Sequence, residues 1–447
     1  MNKIGRLNRG IFILFILCSI TVSGQNPIIS NQYTADPTAR IFEGKVYLYP
    51  SHDIPSPVER LKEWFCMEDY HVFSSENLVD WHDHGVIVSQ ENIPWVAPGS
   101  YAMWAPDCVY QNGKYYFYFP STPAGEQRRG FAIGVATSDK PYGPFIPEEH
   151  PIAGVSGIDP CVLIDDDGEA YLYWSGHGMS VAKLKKNMLE IEGEPQQIEG
   201  LPEGFKEGPF VFKRNDIYYY TFPWVREKTE VLAYATGENP KGPFKFRGVI
   251  MDESPVECWT NHHSIVEYKG QWYLFYHHND YSPAFDKNRS TRIDSLFFDP
   301  DGSIQKVIPS LRGVGITPAK AQHIQLDRYT AISSTGVSID YLNKDNLFEG
   351  WKLILNEKNS WARYSRVDFG KENLSKVKIR VFSRTGGSAC LRSIEPDNRV
   401  VATFNVASDK KWQEISVPLE SVVEGIHDLQ LSLLNEGDLE IDWVGFE

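Results

Sequence analysis

One alternation of polar and apolar positions recurs five times along the first two thirds of the chain. A short polar motif leads into an apolar strand, then a turn, then a strand rich in aromatic residues. The first copy runs from Asp36-Pro37 through Arg40-Ile41-Phe42 and Glu43-Gly44-Lys45 to Val46-Tyr47-Leu48-Tyr49. The others run from Ala105-Pro106 to Tyr118, Asp159-Pro160 to Tyr173, Glu207-Gly208-Pro209 to Tyr220, and His262-His263 to Tyr276. Apolar runs of strand length broken by Gly- or Asn-containing turns predict a β-hairpin in each copy. A second hairpin signal often follows, as from Phe73 to Val88 around Trp81, or from Leu232 to Gly242-Pro243-Phe244. Two hairpins per repeat make a four-stranded blade, and five blades around an axis make a β-propeller. The predicted fold is therefore all-β, with a five-bladed propeller over residues 25–312. Its last hairpin falls at Phe297 to Ile304. The first gap between copies is the longest, which places residues 53–70 and 89–103 in loops over the functional face.

Beyond a linker at 313–324 the pattern changes. Short strands at Val377 to Phe382, Val400 to Val406, Gln413 to Val417, Leu429 to Leu434 and Leu439 to Phe446 are separated by turns. That spacing predicts a β-sandwich, jelly-roll-like, over 325–447.

The N-terminus reads differently from both domains. Lys3, Arg6 and Arg9 precede an apolar run from Ile11 to Ile20, and small residues follow at Val22-Ser23-Gly24. This is the layout of a cleavable secretory signal over 1–24, implying a secreted or periplasmic protein. The run is too short to cross a bilayer core of roughly 30 Å, and no transmembrane segment is expected elsewhere. Cys18 follows Phe15-Ile16-Leu17, which is not the context of a lipid-anchored cysteine. The other five cysteines (Cys66, Cys108, Cys161, Cys258, Cys390) form no CxxC motif, so no zinc or redox framework is read from them. One or two disulfides remain open in an oxidising compartment.

The formal net charge is −15, and no basic run or patch occurs. Nucleic acid is therefore not an expected partner. Aromatic residues make up 13% of the chain, which suits sheet packing and also a surface on which sugar rings stack.

The innermost strand of each propeller blade lines the central channel, so the residue at its start points toward the axis. Those positions are Asp36, Ala105, Asp159, Glu207 and His262. Asp-Pro and Gly-Pro are also ordinary turn chemistry. Three acids at equivalent places in three repeats are a different matter, because converging carboxylates are costly to bury and are kept for chemistry.

These motifs resemble glycoside hydrolase family 43 over about residues 27–312. The carriers are Ala35-Asp36-Pro37, Trp104-Ala105-Pro106-Asp107, Gly157-Ile158-Asp159-Pro160, Lys206-Glu207-Gly208-Pro209, His262-His263-Ser264 leading to Tyr276-His277, and Arg289-Ser290 to Gly302. The resemblance implies a general base at Asp36, a general acid at Glu207, and at Asp159 a third carboxylate that positions the acid and raises its pKa. It implies substrate contacts from Trp104, Arg289 and His262, with Arg289 reaching sugar hydroxyls or Glu207. It also implies an axial calcium ion ringed by water beneath His262, and no cofactor in the chemistry itself. The expected activity is inverting and exo-acting, removing terminal α-L-arabinofuranose or β-xylose from plant cell-wall polysaccharides or oligosaccharides. An endo-acting arabinanase or xylanase, a galactosidase, and a non-catalytic sugar-binding propeller stay open. A monomer is expected.

The C-terminal domain is similar to a family 6 carbohydrate-binding module. The carriers are Ser360-Trp361-Ala362-Arg363-Tyr364, Val367 to Gly370, Gly425 to Leu429, and Ile441-Asp442-Trp443. The family's sugar-binding aromatic pair is replaced by Leu434-Asn435-Glu436-Gly437. Trp361 and Trp443 are expected in the sandwich core.

Overall fold

The computed structural model describes residues 26–125, 130–204, 207–320, 323–371 and 374–447. The expected signal at 1–24 lies outside them. Blades one to four are four-stranded antiparallel sheets whose strands follow in chain order. Their innermost strands are Ala35–Phe42, Asp107–Gln111, Ile158–Ile164 and Phe210–Arg214. The inner hairpins of four blades turn where the sequence placed them. Both central residues have positive φ at Glu43-Gly44, Asn112-Gly113, Asn215-Asp216 and Lys269-Gly270. Positive φ at both positions is the type I′ geometry that matches the right-handed twist of paired strands.

The aromatic strands explain how the blades lock together. Tyr49, Tyr118 and Tyr173 occupy the same repeat position and are fully buried. Each hydroxyl donates to a carbonyl of the following blade: Tyr49 to Pro141 at 2.5 Å, Tyr118 to Met188 at 2.7 Å, Tyr173 to Pro240 at 2.6 Å. Ring area and a satisfied hydroxyl thus act at the same seam. Tyr268 of blade five closes the circle, its hydroxyl lying 2.8 Å from the Glu76 carbonyl and 3.0 Å from that of Gly44 in blade one.

Blade five departs from expectation. Its sheet has three strands, His263–Tyr268, Gln271–His278 and Ser290–Leu296. The expected hairpin at 297–304 is a single bridge between Phe298 and Ile304. The chain's own beginning covers the outer strand instead. Ile28 and Thr34 donate backbone N–H groups to Thr291 and Arg289, both at 2.9 Å, and Asn26 bonds Ile293 through its amide. An uncovered strand edge is a liability, and residues 26–34 remove it while joining the two ends of the ring.

Arg40 blocks the channel from inside. Its guanidinium binds Asp107 of blade two, donates to the Val162 carbonyl of blade three at 3.0 Å, and lies 4.9 Å from the Phe210 ring of blade four. The axis is therefore a pocket floored by a buried ion pair.

The sandwich consists of two sheets. One is built on Trp361–Asp368, Ile426–Leu433, Gly387–Glu395 and Arg399–Val406, the other on Val337–Tyr341, Trp351–Leu355, Leu439–Phe446, Lys376–Phe382 and Gln413–Pro418. The segment expected as a linker belongs to it: Thr317–Pro318 pairs with Val367 and Asp368, and Ala319 and Ile324 lie in its core. Trp443 is buried, as expected, but Trp361 is only half-buried and lies outside the core. The neighbours of Trp361, Ala362 and Tyr364, point inward, so strand alternation turns that tryptophan outward. Trp361 carries Arg363 over its ring at 5.0 Å, and Trp443 stacks on His323 at 3.7 Å. Phe348 and Trp351 of the sandwich pack on Tyr281 of blade five, and Tyr341 donates to the Asp280 carbonyl. The five cysteines from Cys66 to Cys390 are buried and free; no disulfide joins them. Among the described residues no helix is long and apolar enough to cross a membrane.

Candidate active site

Asp36 and Asp159 reach the axis through the same local device. Each precedes a proline, each sits at a break in strand register, and each has positive φ, 44° and 57°. Proline cannot donate to the ladder, so the strand bulges there and re-aims the preceding side chain. Asp tolerates this backbone better than most residues, but the strain still costs on the order of 1–3 kcal/mol per site. Glu207 comes from the segment leading into Phe210–Arg214, where Gly208 holds φ +63°. A Cβ on Gly208 would lie 2.9 Å from Pro223 and 3.1 Å from Nδ1 of His262.

The structure brings all six residues singled out by sequence to one cavity. Asp36, Trp104, Asp159, Glu207, His262 and Arg289 line one pocket. Phe65 and Met67, from the first long loop, complete the wall with Thr260. Phe65 places its ring 4.8 Å from the Arg289 guanidinium and 6.0 Å from the ring of Trp104. The indole N–H of Trp104 is buried without a hydrogen-bond partner.

Arg289 is held at the Asp36 side of the pocket. Its donors are taken by two carboxylates: Asp36 at 2.6 and 3.2 Å, and Asp53 through three bonds at 2.8–2.9 Å, including the Arg289 backbone N–H. Ser51 donates a further bond to Asp36 at 2.7 Å. Burial is the strongest single influence on the Asp36 carboxyl and would raise it, but the Arg289 charge, the neighbouring His262 and His277 and the Ser51 hydrogen bond together outweigh it and hold the carboxyl down at about 2. Asp53, buried beside it, is pushed up by desolvation against the pull of the same arginine.

His277 is fixed as a neutral ring. Its Nδ1 accepts the Asp36 backbone N–H at 3.0 Å, which leaves Nε2–H to donate to the Thr260 carbonyl at 3.1 Å. Burial keeps its pKa well below the ordinary histidine value, so its 3.5 Å approach to the Asp36 carboxylate is not an ion pair. Burial also lowers His262, whose Nδ1 lies 4.0 Å from Asp36.

Asp159 has the opposite charge environment. Burial, then the carboxylates of Glu207 and Asp36, push it well above the usual range, and one N–H bond from Gly208 at 2.9 Å opposes them. Two carboxylates so placed cannot both ionise at neutral pH, so the Asp159–Glu207 pair retains a proton. The pocket therefore holds an ionised carboxylate on one side and a proton-bearing pair on the other.

Sequence reasoning missed Asp53, Ser51, Phe65 and Thr260, and did not assign His277 a place. The long first gap was the available signal for Phe65. Asp53 and Ser51 follow an ordinary aromatic strand and carry no distinguishing spacing.

Residues 24–304 match the family profile Glycosyl hydrolases family 43, and residues 329–447 match Carbohydrate binding module (family 6). A xylosidase/arabinosidase of Bacteroides ovatus is 39% identical over 62% of this chain and 95% of its own. An arabinoxylan arabinofuranohydrolase of Paenibacillus polymyxa is 27% identical over 92% of this chain and 72% of its own. A β-xylosidase/α-arabinofuranosidase from a compost metagenome, solved with xylotriose in a calcium-free form, superposes with a TM-score of 0.58. It is 37% identical, and the match covers 64% of this chain and 98% of that one.

Proposed function

The chain belongs to glycosyl hydrolases family 43 and is a glycosidase; from that premise we propose an inverting, exo-acting enzyme that removes terminal α-L-arabinofuranose or β-xylose from xylan-type polysaccharides and their oligosaccharides. The charge asymmetry of the pocket carries this reading. Inversion needs one ionised carboxylate to activate water and one protonated carboxyl to release the leaving oxygen. Asp36, gripped by Arg289 and Ser51, is the ionised base. Glu207 is the acid, and Asp159 shares its proton and holds the Gly208 backbone that carries it. As water attacks the anomeric carbon, its proton passes to Asp36 while Glu207 protonates the departing glycosidic oxygen.

Exo action is supported by Phe65 and Trp104, whose paired rings wall the pocket beside the catalytic acids and favour a terminal sugar over a threaded chain. The relatives named xylosidase/arabinosidase support the choice of pentose, and the carbohydrate-binding-module match supports a polymeric substrate. The reading includes export through the 1–24 signal and action as a monomer. A calcium ion beneath His262 would be held mainly by water rather than by side chains. Calcium takes six to eight oxygens, whereas His262 offers nitrogen, and the nearby Asp36 carboxylate is already engaged. No step here depends on that ion.

Asp36→Asn should cost about 10²–10⁴-fold on every substrate. Glu207→Gln should cost far less on nitrophenyl glycosides, whose leaving group needs little protonation, than on xylo-oligosaccharides. NMR of the first product should show inverted anomeric configuration. A retained configuration, or turnover unchanged in both variants, would overturn the assignment.

A further inference from the structure

We propose that His52, Asp69 and His71 form a binding site for a divalent transition-metal ion of the zinc class, at the stem of the loop that carries Phe65 over the active site. Among the described residues, these three form the one group of His, Cys, Asp or Glu whose ligand atoms all lie within 4.8 Å of one another. His52 Nδ1 is 2.7 Å from the Asp69 carboxylate, and the two imidazole rings are 5.0 Å apart at 70°.

Strand geometry produces this grouping. Tyr47 pairs with Ser74 and Leu48 with Phe73, and farther along the same two segments His52 meets Asp69. Asp69 and His71 are two apart on Asp69–Ser75, so they share a face. The same alternation sends the next residue, Asp53, to the other side, where it holds Arg289. The cluster is therefore separate from the catalytic pocket although it adjoins it in sequence.

The supporting residues resemble those of a metal site. His71 Nδ1 bonds Asp83 at 3.1 and 3.2 Å, leaving its Nε2 for an ion. Asp83 is itself held by Gln32 at 3.0 Å and by the Gly85 N–H at 2.7 Å. A carboxylate behind a ligating histidine fixes its tautomer and orientation. The three side chains are each 13–18% exposed, so an ion can enter without unfolding. Two imidazoles and one carboxylate favour zinc, nickel or copper over calcium or magnesium, and three protein ligands leave a position for water.

The location gives the ion a task. Asp53 bridges Met67, and Ile54 donates to the Cys66 carbonyl, so His52 and Asp69 lie at the neck of the 53–67 loop. Phe65 and Met67 of that loop line the cavity. An ion joining His52 to Asp69 and His71 would clamp the neck.

The test uses the full chain stripped with EDTA, titrated with Zn²⁺ and separately with Ca²⁺ by calorimetry, with melting temperature followed in parallel. Zinc should bind at one ion per chain and raise the melting temperature, and calcium should not compete at this site. His71→Ala and Asp69→Asn should abolish the zinc response. Asp83→Asn should keep the stoichiometry and weaken affinity about 10–100-fold. If His71→Ala fails to fold, Asp69→Asn and Asp83→Asn decide the matter. His84→Ala, in the neighbouring His82/His84 pair with rings 4.5 Å apart, should bind zinc as wild type does. Absence of zinc binding by the wild type would overturn the site, and so would binding that survives Asp69→Asn or is lost in His84→Ala.

Discussion

Nη1 of Arg289 lies 2.6 Å from Oδ1 of Asp36, across 253 residues of chain, and the other edge of the same guanidinium grips Asp53. One cation is thus shared by two buried acids; the one in the pocket, Asp36, is held below the usual carboxylate range, while burial pushes Asp53 up.

Arg289→Lys should expose that dependence. An ammonium cannot fork to two carboxylates as a guanidinium does. Asp36, now near 2 against an ordinary 3.8, should rise. Because the folded value is depressed, the active ionised form is present above it and lost as pH falls through it. The acid limb of kcat/KM should therefore move to higher pH, with activity at neutral pH reduced. An acid limb unchanged from wild type would show that Arg289 does not set the charge on Asp36.

Asp159→Asn tests the opposite limb. With the neighbouring carboxylate gone, nothing of like charge resists ionisation of Glu207 from that side. The alkaline limb, where the acid loses its proton, should move to lower pH, and kcat should fall by about 10²-fold or more. A pH–rate profile with only its height changed would rule out proton sharing.

Gly208→Ala addresses the backbone beneath the acid. Alanine at φ +63° costs about 1–2 kcal/mol, and its methyl would meet Pro223 and His262. Urea denaturation should show a loss of about 2 kcal/mol or more, and kcat should fall because Glu207 rides on this peptide. Wild-type stability would mean the contact is easily relieved.

Phe348→Ala examines the docked sandwich. Its ring meets Tyr33 and Tyr281 at 4.8 Å each, and residues 279–288 lead directly into Arg289. Loss of a half-buried aromatic contact should lower stability by about 1–3 kcal/mol. Turnover on nitrophenyl substrates should change little. A large loss of turnover with unchanged melting temperature would make the sandwich part of the catalytic apparatus.

The amino-acid sequence by itself determined the repeat, the hairpin turns and the three axial acids, because each is written locally. Alternation of period two, a Gly or Asn at the turn, and Asp-Pro at a strand start need no knowledge of distant residues. The extra length between Tyr49 and Ala105 likewise announced the loop that delivers Phe65. Only the tertiary structure decided the rest. Asp53 became the second partner of Arg289 because the first and last blades meet, 236 residues apart in sequence. Blade five is completed by residues 26–34 rather than by its own fourth strand, a choice made by ring closure. Trp361 faces outward because a framework motif specifies a strand but not which of its faces is buried. The division of charge among Asp36, Asp53 and Asp159 depends on burial and on which cation each can reach, and neither quantity exists until the blades close around the axis.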